Sequence, residues 1–329
     1  MMKYSVVIIT ANRQNFLKNC IDKLFEYEIN KKAEIIVVDA SDIEFEFDKK
    51  NEIKYVKIEP KNKGFSNQRN IGIKNVSNDY VIFIDDDVEI TQNWFDNLVG
   101  EIEKYKDEIF GVMGAVFPKQ NKILSFICGV LGHPSGGFRL HNFSKNKVIY
   151  LSQVSTCNTV FNKKLIEEVG MFDVNNKFGS EDSELCLRIT RKYGNNKFVY
   201  TPYAIVWHYS PDTISKFIKW YIRRGISDMD IYLSHSVHLS YIIKTSVILK
   251  ILPVLVLAVF NVRILYISFI IYYLWQLFKH KFIFKYFSYY KFGFLNKLLT
   301  FFIFPILKLL ADLMFDFGRI KRIIDVKLK

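Results

Sequence analysis

Short apolar blocks and amphipathic stretches take turns along the first 210 residues of this chain. Residues 5–10 and 34–39 are runs of Val and Ile without alternation, the pattern of strands buried on both faces. Residues 53–58 alternate and predict a third strand, and the β-rich run 80–84 predicts a fourth. Phe16, Leu17, Cys20, Ile21, Leu24 and Phe25 recur at helical spacing and predict a helix over 16–27. Strand, helix and strand in this order call for a right-handed crossover and a parallel sheet. The expected class is therefore α/β, with a doubly wound, mainly parallel sheet of the nucleotide-binding kind.

Further along, Gly64 and Ser66 suit the start of a helix that carries Arg69 and Asn70 about one turn inside. Residues 94–105 predict another amphipathic helix, and 111–117 another strand. The Gly- and Pro-rich stretch 131–138 reads as a loop. Residues 155–161 predict a strand and 163–169 a short helix. Ser180 is a plausible N-cap for a helix beginning at Glu181, with Glu184 near the reciprocal capping position. Residues 198–200 and 205–208 read as two final short strands.

After residue 210 the pattern changes. Residues 245–260 are apolar except for Lys250, and 264–278 are apolar again after Asn261-Val262-Arg263. Each run is short of the ~20 residues of a comfortable membrane span. Together they predict a helical hairpin over 243–278, whose Tyr272, Tyr273 and Trp275 suit a membrane interface. A third apolar stretch is broken by Pro305, Lys308 and Asp312 and predicts an interfacial helix over 296–316. The expected organisation is an α/β domain over 1–210, a connecting helical segment over 211–240 and membrane-associated helices over 241–329. The same runs would also suit a buried helical domain.

Composition sharpens this division. Half of the 329 residues are hydrophobic and 16% are aromatic, more apolar than an ordinary soluble chain. The formal charge is +13, yet 18 of 46 Lys and Arg and only 6 of 33 acids lie after residue 210. No acid occurs between Asp230 and Asp312. A basic, apolar segment suits an anionic membrane surface, and the polar basic face that nucleic acid would want is missing. Lys279, Lys281, Lys285 and Lys291 should stay on the cytoplasmic side. Met1 to Ser5 runs straight into a strand without a leader, so the first domain is also expected there. Cys20, Cys128, Cys157 and Cys186 are scattered, with neither metal-ligand spacing nor a disulfide framework.

The chemistry concentrates at Asp85-Asp86-Asp87, where the fourth strand should stop. Three successive like charges repel unless a cation sits among them. At the carboxyl end of a parallel strand they lie where open α/β sheets bind ligands. A divalent metal and a solvated acidic turn both answer that pattern. Glu181, Asp182 and Glu184 form a second acidic group, which the dipole of a helix start would favour without any catalysis. A lone His208 at a strand end is more often structural than a ligand.

Several separated stretches together resemble one family: Val6-Val7-Ile8-Ile9-Thr10-Ala11-Asn12-Arg13, Val37-Val38-Asp39-Ala40-Ser41, Gly64-Phe65-Ser66-Asn67-Gln68-Arg69-Asn70-Ile71-Gly72 and Phe83-Ile84-Asp85-Asp86-Asp87, then Gly170-Met171-Phe172-Asp173, Glu181-Asp182-Ser183-Glu184-Leu185 and Val206-Trp207-His208. Their order resembles the family-2 glycosyltransferases of GT-A fold, over roughly residues 3–210. The resemblance implies inverting transfer of a sugar from a nucleotide-diphosphate-sugar donor to a hydroxyl acceptor, with Mg²⁺ or Mn²⁺. It places Thr10, Asn12, Arg13 and Asp39 around the nucleotide, and Arg69 near the base or diphosphate. Asp85 and Asp86 would contact nucleotide and donor sugar. Asp87 would be the metal carboxylate, with His208 completing the metal shell. Asp182 would be the catalytic base, with Glu181 beside it. Ala40 departs from the polar residue common at that position. With the basic, apolar tail, the expectation is a membrane-attached enzyme acting on a lipid-linked or glycan acceptor. Two alternatives are a processive polysaccharide synthase, disfavoured by the lack of a Gln-x-x-Arg-Trp stretch, and a non-catalytic sugar-nucleotide-binding membrane protein.

Overall fold

In the computed structural model, which describes residues 4–176, 179–235 and 239–327, the blocks of Val and Ile become the middle of a nine-stranded sheet. Residues 1–3, 177–178, 236–238 and 328–329 lie outside the described residues, the third group inside the expected connecting segment 211–240. The chain divides into two compact units. The described residues of the first are 4–119, 132–176 and 181–209.

This first unit opens with Tyr4–Thr10 (β1), Gln14–Glu26 (α1), Ala33–Asp39 (β2), Lys54–Lys57 (β3), Phe65–Asn75 (α2) and Tyr80–Asp85 (β4). Then come Val88–Ile90 (β5), Trp94–Tyr105 (α3) and Gly111–Pro118 (β6). The strand order is β3-β2-β1-β4, all parallel, so the chain reverses its direction of winding between β1 and β4. Ligands bind open α/β sheets at such a reversal, beyond the carboxyl ends of the strands. Register brings the key ends level: Thr10 pairs with Asp39, and Ile9 with Asp85. All seven residues of β1 are buried, as befits a strand covered on both faces. From α1, Leu17, Cys20, Ile21 and Leu24 pack into the same core at i, i+3, i+4 and i+7.

The rest of the sheet is mixed. Asn158–Asn162 (β8) runs antiparallel to both β4 and β6. Phe198–His208 (β9) is parallel to β6 and antiparallel to β5 and to Ile149–Leu151 (β7). The two short strands expected at 198–200 and 205–208 are thus one strand, with an irregularity opposite residues 113–115 of β6. Lys163–Glu168 (α6) and Glu181–Tyr193 (α7) complete this unit with Gly137–Ser144 (α5), a helix that the Gly-rich sequence conceals. Ser180 does not have the extended backbone of an N-cap, since its φ is 62°, in the left-handed region.

The second unit contains residues 120–131, 179–180 and the described part of 210–329. Its helices are Ile123–Leu131 (α4), Ile214–Ser234 (α8), Leu239–Thr245 (α9), Val247–Phe260 (α10), Arg263–Lys279 (α11), Ile283–Tyr286 (α12) and Phe294–Lys327 (α13). Cys128, Phe217, Tyr221 and Ala311 form a small core from α4, α8 and α13. Helices α8 and α13 cross in close contact. A Cβ on Gly225 would lie 1.9 Å from the Phe315 carbonyl oxygen, and one on Gly318 would lie 2.1 Å from that of Ile222.

The third apolar stretch, expected as an interfacial helix over 296–316, lies within the 34-residue α13. Among the described residues α13 is the single helix that is by itself long and apolar enough to cross a membrane, with a mean hydropathy of 2.1 over its best window. The interruptions that shortened it in the sequence are accommodated. Lys308 pairs with Asp312 at 2.6 Å one turn along, and the helix runs through Pro305. Helices α9 and α10 pass the same test jointly, but they bend by 63° between them.

Candidate active site

The C-terminal ends of β1, β2 and β4 converge on one polar cluster. Thr10, last in β1, donates from Oγ1 to Asp86 Oδ2 at 2.7 Å. Asp39, last in β2, is fully buried and accepts from the Ser41 backbone N–H at 2.7 Å, from the Ser41 hydroxyl and from the Tyr55 phenol. Burial, then that bond to Asp39, pushes the Tyr55 phenol up. Asn12 has a left-handed backbone, φ 57°, and donates from Nδ2 to Asp42 at 2.8 Å, joining the loops after β1 and β2. Gln68 of α2 donates to the Thr10 carbonyl at 2.8 Å and the Val38 carbonyl at 3.1 Å, so the two strand ends are held together. A cavity of about 480 Å³ opens beside them, lined by Asn12, Arg13, Phe16 and Asp42 among others.

The three acids are not equivalent. Asp85 is partly exposed, whereas Asp86 and Asp87 are buried. Arg13 reaches Asp86 at 2.8 Å and also pairs with Asp87. The antiparallel pairing of β5 with β9 sets His208 opposite Val88, immediately beside Asp87. His208 Nε2 lies 3.2 Å from Asp87 Oδ1 and 3.6 Å from Asp85 Oδ2. Burial opposes the imidazolium, but Asp87 and Asp85 outweigh it and lift His208 to about 9. Burial likewise opposes ionisation of Asp85, yet His208 and Arg69 hold it below the ordinary carboxylate range. Burial pushes Asp86 up to about 7, with Arg13 and Thr10 working against it.

Asp85, Asp87 and His208 each offer one ligand atom, and these atoms lie within 4.8 Å of one another. Asp87 Oδ1 and His208 Nδ1 are buried without a hydrogen-bond partner. Two carboxylate oxygens and an imidazole in that space fit a divalent cation. The grouping adds Asp85 to the pair Asp87 and His208 expected from the sequence.

The second acidic group starts α7. Glu181 is buried and pairs with Arg69, whose other terminal nitrogen lies 3.4 Å from Asp85. Asp182 is half-buried, and its Oδ1 accepts the Ser183 backbone N–H at 2.7 Å. Burial pushes the Cys157 thiol up, and the charges of Asp85 and Asp182 both add to that effect. Arg188, further along α7, donates to the Met171 carbonyl at 2.5 Å and so grips the loop after α6. Asn70 exchanges hydrogen bonds with the Phe172 backbone at 2.8 and 3.0 Å, which ties the same loop to α2.

Sequence reasoning placed Arg69 near the base or diphosphate, and in the structure its buried guanidinium lies between Asp85 and Glu181. It also passed over Gln68, Tyr55 and Ser41. A signal for the first was present: α2 has almost no apolar stripe, and its buried residues include Ser66, Gln68, Arg69 and Asn70. Gln68, Arg69 and Asn70 can be buried because each has partners, whereas the Ser66 hydroxyl has none.

A mainly parallel sheet that reverses its winding beside an Asp-rich strand end defines an α/β protein of the nucleotide-binding kind. The sequence profile described as Glycosyl transferase family 2 matches residues 5–170, and the chain belongs to that family. Over 113 residues it is 34% identical to the protein named Glycosyltransferase GlyA of Streptococcus pneumoniae serotype 4. That match covers 32% of this chain and 16% of the pneumococcal protein, so this chain spans only a small part of its relative. Among solved structures, GalNAc-T7 with UDP, GalNAc and Mn²⁺ superposes with a TM-score of 0.50 at 16% identity. The superposition covers 70% of this chain and 50% of GalNAc-T7, and it shows the shared fold.

Proposed function

We propose that this protein is an inverting glycosyltransferase, moving a sugar from a nucleotide-diphosphate-sugar donor to a hydroxyl acceptor. The observation that carries the reading is the convergence of Asp85, Asp87 and His208 within 4.8 Å at the reversal of the sheet, in a chain of this family. Family membership and the UDP and Mn²⁺ of the GalNAc-T7 structure support a nucleotide donor and a divalent metal, Mg²⁺ or Mn²⁺.

In this reading Thr10, Asn12, Arg13 and Asp39 surround the nucleotide at the ends of β1 and β2. Asp87, His208 and Asp85 would hold the cation, and Asp86 is kept in place by Thr10 and Arg13. A bound divalent cation offsets the charge that gathers on the leaving diphosphate. Asp182 takes the proton of the acceptor hydroxyl as its oxygen bonds to the anomeric carbon. The bond from that carbon to the diphosphate oxygen breaks on the opposite face, so configuration inverts. Glu181 cannot share this task while it is paired with Arg69.

We further propose that the second unit attaches the enzyme to a membrane, with the catalytic unit on the cytoplasmic side. Supporting this are the length and hydropathy of α13 and the exposed apolar residues of α10 and α11, such as Val259, Phe260 and Ile271. Attachment favours a lipid-linked acceptor by raising its local concentration. The test is a nucleotide-sugar panel assayed for nucleoside diphosphate release with membrane lipid extracts, with and without EDTA. Release that needs metal and rises with lipid extract is expected. No metal-dependent release from any donor would overturn the enzymatic reading, and indifference to lipid would overturn the lipid-linked acceptor.

A further inference from the structure

Arg69 is nearly inaccessible, although the resemblance would bring it to the donor. Its guanidinium is flanked by the rings of Phe65 and Phe172, each centroid 5.9 Å away. One terminal nitrogen pairs with Glu181, and the other lies 3.4 Å from Asp85 Oδ1. Asp85 is the last residue of β4, and Glu181 is the first of α7. A planar guanidinium can hold two acceptors in a fixed relation, which an ammonium cannot do.

We propose, resting on the functional reading above, that Arg69 and Glu181 are positioning residues. Together they form a buried strut that sets the metal-site carboxylate Asp85 and the base Asp182 in one geometry. Asp182 follows Glu181 on the first turn of α7, so whatever fixes Glu181 fixes the start of the helix that presents the base. The arrangement explains why two neighbouring acids are unlike each other: Glu181 is buried and paired, and Asp182 is half-buried. It also explains a buried charge on a helix packed over the strands. Such a pair contributes little net stability against an apolar substitute, and positioning is the use that remains.

The test uses full-length Arg69→Met, Glu181→Met and the double variant. Three quantities are read: thermal midpoint, affinity for UDP with Mn²⁺ by calorimetry, and kcat with the best donor of the panel. Arg69→Met leaves the buried Glu181 without its partner, and Glu181→Met leaves Arg69 only its longer contact with Asp85, so each single variant lowers the midpoint. The double variant removes both charges and is expected to regain most of that loss. Its kcat should nonetheless stay at least about thirtyfold below wild type, because the misplacement of groups far from the chemistry costs rate on the order of 10²-fold. UDP–Mn²⁺ affinity should fall by about tenfold in Arg69→Met, Glu181→Met and the double variant alike, because Asp85 loses its support in all three. Arg69→Lys should keep the charge and still lose rate. Recovery of kcat together with the midpoint would show a merely structural pair and overturn the proposal. A loss of UDP–Mn²⁺ affinity above tenfold in Arg69→Met but not in Glu181→Met would make Arg69 a donor ligand and overturn it too. A wild-type chain that releases no nucleoside diphosphate from any donor overturns the functional reading itself, and this proposal falls with it.

Discussion

The molecule contains two buried clusters of arginines and carboxylates, one in each unit, and they end differently. In the helical unit, Asp316 Oδ2 accepts from the Ser246 hydroxyl at 2.8 Å and the Ile248 backbone N–H at 2.9 Å, and its Oδ1 accepts from Arg319 at 3.2 Å. Arg319 also donates to Asp228 at 2.8 Å and Thr245 at 2.9 Å, and Asp228 accepts from Tyr241 at 2.6 Å. Arg322 closes the set on Asp230 at 2.7 Å. Each oxygen of Asp316 and Asp228 thus has a partner. In the sheet unit, Asp87 Oδ1 and His208 Nδ1 are buried with no hydrogen bond, and three ligand atoms crowd within 4.8 Å. The same residue types make a fastening in one place and a site in the other. What separates them is the polar capacity that the protein itself leaves unused, since buried groups are normally satisfied.

The comparison can be broken in four ways, taken from the largest expected effect down. Asp182→Asn should lower transfer by about 10²–10⁴-fold, the usual contribution of a general base. UDP binding should survive, and an equal loss of both would remove Asp182 from the chemistry. Next, Arg319→Met strands Asp316 and Asp228 and should destabilise the helical unit by about 3–5 kcal/mol. Thermal unfolding of the full chain in detergent reads this, while UDP–Mn²⁺ affinity is expected to hold. An unchanged midpoint would contradict the fully paired network.

The third change is Asp87→Asn, which keeps the shape of the sheet site but removes a ligand charge. Calorimetry with Mn²⁺ and UDP should show affinity lower by about tenfold or more, on the scale seen when groups supporting a metal are lost. Stability should move much less than in Arg319→Met, because Arg13 keeps its pair with Asp86 and His208 its contact with Asp85 when residue 87 is neutral. The smallest effect is expected outside both clusters. Lys32→Ala breaks an exposed pair with Asp96 at 2.9 Å and should shift stability by less than about 1 kcal/mol. A larger shift would mean that burial is not what gives the two clusters their weight.

Much of the sheet was legible because buried parallel strands are written as unbroken runs of Val and Ile. β1, β2 and β4 fall where those runs do. The missed pieces are those whose pattern is set by neighbours. β5 is three residues long and exists through its pairing with β9, and α5 begins at a glycine. β9 continues through Pro202, where the sequence suggested a break. In the tail, Lys308 and Asp312 looked like interruptions because their ion pair, one turn apart on α13, is invisible until the helix is drawn. Gly225 and Gly318 gave no signal of their own, since their meaning lies in the crossing of α8 and α13.

The amino-acid order alone determined the α/β class, the acid-terminated strands and the basic, apolar tail, because each is a local pattern of burial and charge. It also supplied Thr10, Asp39, Asp85, Asp86, Asp87 and His208 as candidates, since chemistry resides in residue types, but not Ser41, Tyr55 or Gln68. Which of them meet was decided only by the tertiary structure. Strand register sets Thr10 beside Asp39 and His208 beside Asp87, and residues far apart in sequence acquire a common environment only through such pairing. The difference in surroundings between Glu181 and Asp182 is of the same kind. Neighbours in sequence, they differ because Glu181 is buried against the charge of Arg69 and Asp182 is only half-buried.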